Sequence, residues 1–336
     1  MNALATQSIC SAAARRTLSM RGLRLGGARG FATTDVRGLI KRVTVVGAGQ
    51  MGAGIAQVAA QHDHQVTLVD TSAEALARGR QYMGKSLTRV AKKKLADGTA
   101  EQQAQWVEDV MSRVGGTTEL AEGVASADLV VEAVVENISV KQRLFADVAA
   151  AAPESCVLAS NTSSLPIGRI FEGLSAERRA RALGLHFFNP VAQMRLVEVV
   201  RAADTAPAVV EDALDFVRRI AKAPAVCSDT PGFIVNRLLL PYMMEAVRLL
   251  ERGVAEPRDI DTAMKLGAGY PMGPFELCDY VGLDTIKFIV DGWYAEGEGL
   301  QGNPLFAPSA KLNELVEAGH LGVKTGRGFY EYPAKK

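Results

Sequence analysis

The chain has 336 residues, 48% of them hydrophobic and 22% charged, with a formal net charge of +1. That length holds one large core or two ordinary domains, and that balance is the profile of a globular protein. It excludes a general electrostatic affinity for nucleic acid or membrane surfaces, and no apolar run approaches the roughly 20 residues of a membrane-spanning helix.

Residues 1–34 stand apart from the rest. They carry Arg15, Arg16, Arg21, Arg24 and Arg29, several Ser and Thr, and no Asp, Glu or Lys; the first acid is Asp35. An Arg-rich, acid-free leader reads as a mitochondrial transit peptide, with a disordered basic tail as the plainer alternative. Cys10 lies in this leader. Cys156, Cys227 and Cys278 remain, with no C-x-x-C spacing, and read as reduced, buried thiols.

The stretch KRVTVVGAGQMGAGIAQVAAQHDHQVTLVD, from Lys41 to Asp70, predicts strand, glycine turn, helix and strand. Residues 42–46 are mostly β-branched, which suits a strand buried on both faces. Gly47, Ala48, Gly49, Gln50, Met51 and Gly52 then form G-x-G-x-x-G. The first glycine permits a tight turn, the second lets backbone approach a pyrophosphate, and the third lets helix pack on strand. The anion would rest on free N–H groups at the helix N-terminus. Asp70 ends the second strand, where a carboxylate accepts from ribose hydroxyls and repels a 2′-phosphate. Thr71 and Ser72 follow, not Arg, so the pattern favours NAD over NADP.

Between Asp70 and Asp128 the crossover is far longer than the dozen or so residues a βαβ unit needs. Two helical patterns, KSLTRVAKKKLADG (85–98) and EQQAQWVEDVMSRV (101–114), predict a projecting hairpin. Its cations, Lys85, Arg89, Lys92, Lys93 and Lys94, fit either a solvated face or a grip on a phosphate-bearing substrate. Further strands are predicted within DLVVEAVVEN (128–137) and CVLASNTSSL (156–165). In a doubly wound sheet the parallel strands end on one edge, so Glu136, Asn161 and Ser163 should join the glycine turn and Asp70 around one crevice.

Of the four histidines, His62 and His64 fall at the opposite edge of such a sheet, and His320 lies among glycines near the end. His186 closes the apolar run RALGLHFF and belongs on the crevice edge. Alternation in RLVEVV puts Glu198 on one face with Leu196 and Val200, where a carboxylate needs a partner. If 183–188 and 195–200 are neighbouring strands, Glu198 reaches His186. The pair would then remove a proton from a substrate alcohol, His186 as base and Glu198 as its orienting anion. No metal cluster is visible, and metal-assisted chemistry is not expected.

After CSDTPGF the pattern turns helical. Thr230 reads as an N-cap with Pro231 at the first position of a helix over 232–252, which Pro241 would kink. Helical segments follow near 257–266, 274–293 and 309–318. The expected organisation is a leader at 1–34, an α/β domain at 35–228 and an all-helical domain at 229–336. The fold class expected is a Rossmann-type, doubly wound, mostly parallel sheet with a helical hairpin insertion, followed by the smaller all-α domain.

The segments VVGAGQMGAGIAQVAA, VVEAVVEN, SNTSSLPI, LHFFNPV, LVEVV, DTPGFIVNRLLLPYMMEA and DTAMKLGAGYPMGPFELCDYVGLD together closely resemble the mitochondrial L-3-hydroxyacyl-CoA dehydrogenase family. The likeness runs from about Lys41 to the final KTGRGFYEY. It implies NAD-dependent oxidation of L-3-hydroxyacyl-CoA in fatty acid β-oxidation. His186 matches the family's catalytic base and Glu198 its partner, while Ser163 and Asn236 match residues that hydrogen-bond the reacting substrate. Asp70, Glu136, Lys141, Asn189 and Lys324 match NAD contacts, with Ser163 also against the cofactor. Ser86 and Lys93 match contacts to coenzyme A. The resemblance further implies a homodimer through the helical domain and a mitochondrial-matrix location.

Two rivals are weighed on the same residues. A related dehydrogenase acting on a free hydroxy acid, or on 3-hydroxybutyryl-CoA with NADP, is opposed by Ser86 and Lys93 in the first case and by Asp70 in the second. A non-catalytic relative could dispense with His186 or Glu198, and both are present.

Overall fold

The computed structural model describes residues 40–333, so the leader at 1–34 lies outside the described residues. An eight-stranded sheet has the order β3-β2-β1-β4-β5-β6-β7-β8. Its strands are β1 (Arg42–Val46), β2 (Gln65–Val69), β3 (Val114–Thr117), β4 (Leu129–Glu132), β5 (Val157–Ser160), β6 (Ala182–Phe187), β7 (Leu196–Arg201) and β8 (Ala223–Ser228). Pairing is parallel from β3 through to β6. It turns antiparallel at β6/β7 and is parallel again at β7/β8. The chain order reverses between β1 and β4, which opens a crevice beyond their C-terminal ends.

Helix α1 (Gln50–Ala60) shows why the glycine turn has its composition. Gly52, Ala53, Gly54 and Ala56 are buried, so small side chains bring the helix close onto the sheet. The predicted hairpin is formed by α2 (Ala73–Lys94) and α3 (Ala100–Ser112). Ser72 caps α2 by accepting from Ala75 N, and Thr99 with Gln102 forms a capping box on α3. The hairpin returns into edge strand β3, which the sequence reading missed because VGGT carries two glycines and little strand propensity. The sheet's remaining helices are α4 (Leu120–Val124), α5 (Ile138–Ala151), α6 (Ile167–Phe171), α7 (Ala176–Arg179) and α8 (Pro207–Arg219).

The helical region follows with α9 (Val235–Glu251), α10 (Pro257–Gly267), α11 (Pro274–Val281), α12 (Leu283–Glu296) and α13 (Ala310–Glu317). Two expectations need correction here. The helix predicted from 232 begins at Val235, because Gly232 (φ +78°) and Phe233 (φ +52°) are left-handed and cannot join a right-handed helix. Thr230 is therefore not its cap. The single segment at 274–293 is two helices, broken where Gly282 takes φ +104°. Separate apolar cores hold the two regions. Val45, Leu68, Val131, Leu185 and Phe216 pack one face of the sheet, whereas Met243, Leu283, Val290, Trp293 and Phe306 pack the helices.

Among the described residues no helix is long and apolar enough to cross a membrane.

Candidate active site

The glycine turn is dictated by close approach. Gly47 has φ +106°, and a Cβ there would lie 2.5 Å from Ala133 O; one on Gly52 would lie 1.7 Å from Gly47 O. Gly49 is different: a Cβ on it would meet nothing within 4 Å, so it faces open space at the head of α1. No side chain caps that head, and no acid stands in its first turn. These are the conditions for anion binding at a helix N-terminus.

Asp70 is fixed at the end of β2, with one carboxylate oxygen accepting from Ala48 N (2.8 Å) and the other from Ser72 N (3.1 Å). A carboxylate has about four acceptor positions, so capacity remains for ribose hydroxyls. It faces a cavity of about 500 Å³ lined by Gly47, Gly49, Thr71, Val134 and Leu144. A neighbouring cavity of about 400 Å³ is lined by Met51, Glu136, Asn161, Ser163, His186 and Asn236. Ala133 and Val134 border both, so the two are lobes of one crevice. An anion seat flanked by a ribose acceptor and two connected lobes fits an extended dinucleotide.

His186 is in cross-strand register with Glu198 on β7. They are 6% and 0% exposed, and His186 Nδ1 lies 2.7 Å from Glu198 Oε2. A carboxylate only accepts, so Nδ1 carries the hydrogen and Nε2 of the neutral ring is left as an acceptor. The Phe188 and Phe233 rings, 4.4 and 5.7 Å away between centroids, fix the imidazole plane. The other oxygen of Glu198 accepts from Ile234 N (3.0 Å) and Val235 N (2.8 Å). Glu198 thus does for α9 what Thr230 was expected to do, and links the histidine to the first helix of the helical region.

Ser163 is oriented from two sides. Its N–H donates to Glu136 Oε1 (3.0 Å), and its carbonyl accepts from Asn236 Nδ2 (3.2 Å). Glu136 stands past the end of β4, which stops at Glu132 and not near 137. Burial pushes the Glu136 carboxyl up, but Lys141 and the donors from Thr162 and Ser163 outweigh it and hold it below the usual carboxylate range. Asn161 accepts from Phe187 N (2.9 Å), tying the β5 and β6 ends together. Asn189 accepts from Gln50 Nε2 (3.0 Å) across the top of α1, and the Asn189–Pro190 peptide is cis.

The structure does not bring every candidate to the crevice wall. Lys141 is 1% exposed and sits behind Glu136, 3.1 Å from its Oε2 and 2.5 Å from Glu132 Oε1. Glu132, fully buried, also accepts from Ser160 Oγ (2.6 Å) and Val134 N (2.8 Å). Sequence reasoning missed this network. Its one signal was a carboxylate inside the apolar run LVVE, the same cue that singled out Glu198. Lys324 lies in the turn Val323–Thr325, paired with Asp284 at 2.5 Å, and lines neither lobe. Ser86 is half-buried and Lys93 exposed, both on α2 outside the lobes. His62 and His64 occupy the turn between α1 and β2, at the opposite sheet edge. Among the described residues no His, Cys, Asp and Glu group could hold a metal ion.

Comparison with known proteins agrees with this architecture. Residues 42–230 match the family model described as 3-hydroxyacyl-CoA dehydrogenase, NAD binding domain, and residues 232–332 match its C-terminal domain. The chain is 53% identical over 294 residues to human hydroxyacyl-coenzyme A dehydrogenase, mitochondrial, covering 88% of this chain and 92% of that protein. It is 52% identical over 304 residues to a probable 3-hydroxyacyl-CoA dehydrogenase of Caenorhabditis elegans, covering 90% and 96%. Among solved structures, (S)-3-hydroxybutyryl-CoA dehydrogenase PaaH1 from Ralstonia eutropha superposes with TM-score 0.80 at 36% identity, over 88% of this chain and 99% of that one. FadB2 of Mycobacterium tuberculosis gives 0.79 at 40% identity, with the same coverages. With both halves of the fold matched and a crevice built for a dinucleotide, the chain belongs to the 3-hydroxyacyl-CoA dehydrogenase family and is an NAD-dependent oxidoreductase.

Proposed function

We propose that the protein oxidises L-3-hydroxyacyl-CoA to 3-oxoacyl-CoA in mitochondrial fatty acid β-oxidation, with His186 as general base. The observation that carries this is the buried His186–Glu198 pair, 2.7 Å apart, with His186 on the wall of the crevice. NAD, when bound, supplies the hydride acceptor. Nε2 of His186 accepts the hydroxyl proton as the carbon loses hydride, and the imidazolium so formed is stabilised by the Glu198 carboxylate. The hydroxyl of Ser163 and the amide of Asn236 hold the substrate oxygen. Glu136 and Asn161 position the Ser163 loop, while Gly47 to Gly52, Asp70 and Asn189 hold the dinucleotide. Lys141 belongs to the same cofactor site through Glu136, and Lys324 would join it from the helical region by exchanging its Asp284 partner for the cofactor.

The handle of the substrate is assigned to α2, with Ser86 and Lys93 on coenzyme A. We assign residues 35–228 to cofactor binding and 229–336 to closure of the crevice and to homodimer formation. Leu266 and Phe288, 83% and 81% exposed on α10 and α12, supply apolar surface for such a contact. The Arg-rich leader and the mitochondrial relatives support a matrix location. NADH formation from 3-hydroxyacyl-CoAs of graded chain length tests the reading, with NADP and the free hydroxy acids as controls. Turnover of the free acids at the rate of the thioesters would overturn it.

A further inference from the structure

In an all-parallel sheet the turn from a helix into the next strand lies at the edge away from the ligand, as His62 and His64 do here. The antiparallel step from β6 to β7 reverses this for the last strand. β7 starts at the crevice edge, and β8 runs parallel to it with Ala223 beside Leu196. The turn from α8 into β8 is thereby brought round to the crevice edge, and Lys222 occupies it. Ala221 takes φ +56°, ending α8, and Lys222 N donates to Val217 O (3.0 Å), which aims the side chain.

The ammonium of Lys222 reaches into the connection between β6 and β7, donating to Val191 O and to Met194 O (2.7 Å). Burial lowers its pKa, and no carboxylate is paired with it among the described residues. Its partners are these two carbonyls, through charge-assisted bonds roughly twice as strong as neutral ones. The connection is seated from α1 as well. Gln193 N and Met194 N both donate to Pro190 O (2.9 and 3.0 Å), closing one turn, and a Cβ on Gly54 would stand 2.8 Å from Val191 Cβ. At the head of the connection Asn189 meets Gln50 and lines the catalytic lobe. Thus α1 blocks movement towards itself, and Lys222 tethers the turn at both Val191 and Met194.

We propose that Lys222 is a positioning residue for the cofactor: by tethering Val191 and Met194 it holds Asn189 where the dinucleotide meets it. This rests on the assignment of Asn189 to NAD above and deepens it. Lys222 lines neither lobe of the crevice, so it acts through the turn and not by touching the ligand.

A double-mutant cycle on the NAD dissociation constant, measured by fluorescence titration, separates this role from a structural one. Lys222→Met keeps most of the side chain's length and removes its donors. Alone it should weaken NAD by about tenfold, the scale of a lost hydrogen bond from a charged group. In an Asn189→Ala background it should cost nothing further, because nothing is left for it to position. At saturating NAD, kcat should change little, since His186 keeps Glu198. In the cofactor-free protein, amide exchange at Gln193 and Met194 should quicken in Lys222→Met while exchange in β6 stays slow. If Lys222→Met does not fold, the cycle is run with Lys222→Arg, which keeps the charge but moves the donors; a smaller loss, again absent beside Asn189→Ala, is expected. Wild-type NAD affinity in the lysine variant overturns the proposal, as do losses that add in the double variant or unchanged exchange in the turn. If Asn189→Ala itself binds NAD as wild type does, the assignment of Asn189 fails, and the proposal with it.

Discussion

Replacing Glu198 with glutamine exchanges one acceptor oxygen of a buried side chain for a donor. In the native protein Glu198 accepts three hydrogen bonds: from His186 Nδ1 through one oxygen, and from Ile234 N and Val235 N through the other. An amide has only one acceptor end. If the oxygen of the new amide faced His186, its NH2 would oppose two backbone donors at the head of α9. Leaving both unpaired in a buried site costs about 1–3 kcal/mol each. If the oxygen faces α9 instead, the NH2 donates to His186 Nδ1, and the ring hydrogen must move to Nε2. That arrangement strands nothing and is the one adopted. It also leaves Nε2 as a donor, unable to take the substrate's proton.

The size of the loss follows. In a Ser-His-Asp triad the corresponding carboxylate-to-amide change, with its wrong tautomer, costs about 10⁴-fold in kcat. For Glu198→Gln we expect a fall of about 10³–10⁴-fold, which is about 4–5.5 kcal/mol of transition-state stabilisation. The α9 cap is kept, so the thermal midpoint should move by only a few degrees. Glu198→Ala separates position from charge, since it strands all three donors and should unfold markedly earlier. NADH appearance at saturating substrate gives kcat, and deuterium at C3 should show a larger isotope effect as chemistry becomes limiting. A folded Glu198→Gln protein within tenfold of wild-type kcat would refute the tautomer argument and the pairing with it.

Other consequences can be checked independently. His186→Gln should lower kcat by about 10²–10⁴-fold with the NAD dissociation constant unchanged; retention of a tenth of wild-type kcat would count against His186 as base. NADP should be a poor substitute for NAD, and Asp70→Ala should weaken NAD and narrow that preference; equal kcat/KM for the two cofactors in wild type would overturn the role of Asp70. Glu136 has its carboxyl held below its ordinary 4.5, with burial opposed by Lys141 and the Thr162 and Ser163 donors. Its contribution to stability is therefore fully present above 4.5 and lost as pH falls through the lowered value. The gap in thermal midpoint between wild type and Glu136→Gln should close from about pH 5 downward, and a gap independent of pH would show that the ionised form matters little. Burial pushes the Cys156 and Cys227 thiols up to about 12 and raises Cys278 as well. At about pH 8 only about one thiol in 10⁴ is ionised, so native protein should resist alkylation that denatured protein accepts, and rapid labelling of the native form would argue against that burial.

Most of the fold was readable because its cues are local. β-Branched strands on both sides of a glycine turn announce a parallel sheet, and the turn's own glycines are demanded by backbone approach at Gly47 and Gly52. What the chain hid was structure whose cause lies far away in sequence. Edge strand β3 is formed by VGGT, which has poor propensity and exists as a strand because β2 supplies its ladder. The start of α9 was misjudged by several residues. Thr230 and Pro231 look like a helix start, but Gly232 and Phe233 turn left-handed, and the cap comes from Glu198, 36 residues before Ile234.

The same distinction runs through the site. Glu198 was found from sequence because a carboxylate among valines has to be paired, and the antiparallel register of β6 and β7 supplies the partner. Glu132 carries an equal cue, a carboxylate closing LVVE, yet nothing in the sequence paired it with Lys141, which the resemblance gave only as an NAD contact. A lysine reads as exposed until a fold buries it between two acids. Glu132 and Lys141 have no route to the substrate; they hold Glu136, which in turn holds the Ser163 amide. A residue that touches ligand can be guessed from its chemistry, whereas one that acts through another needs coordinates. In this crevice the two kinds are layered: His186, Ser163, Asn236 and Glu136 line the wall, and Glu198, Glu132 and Lys141 set where that wall stands.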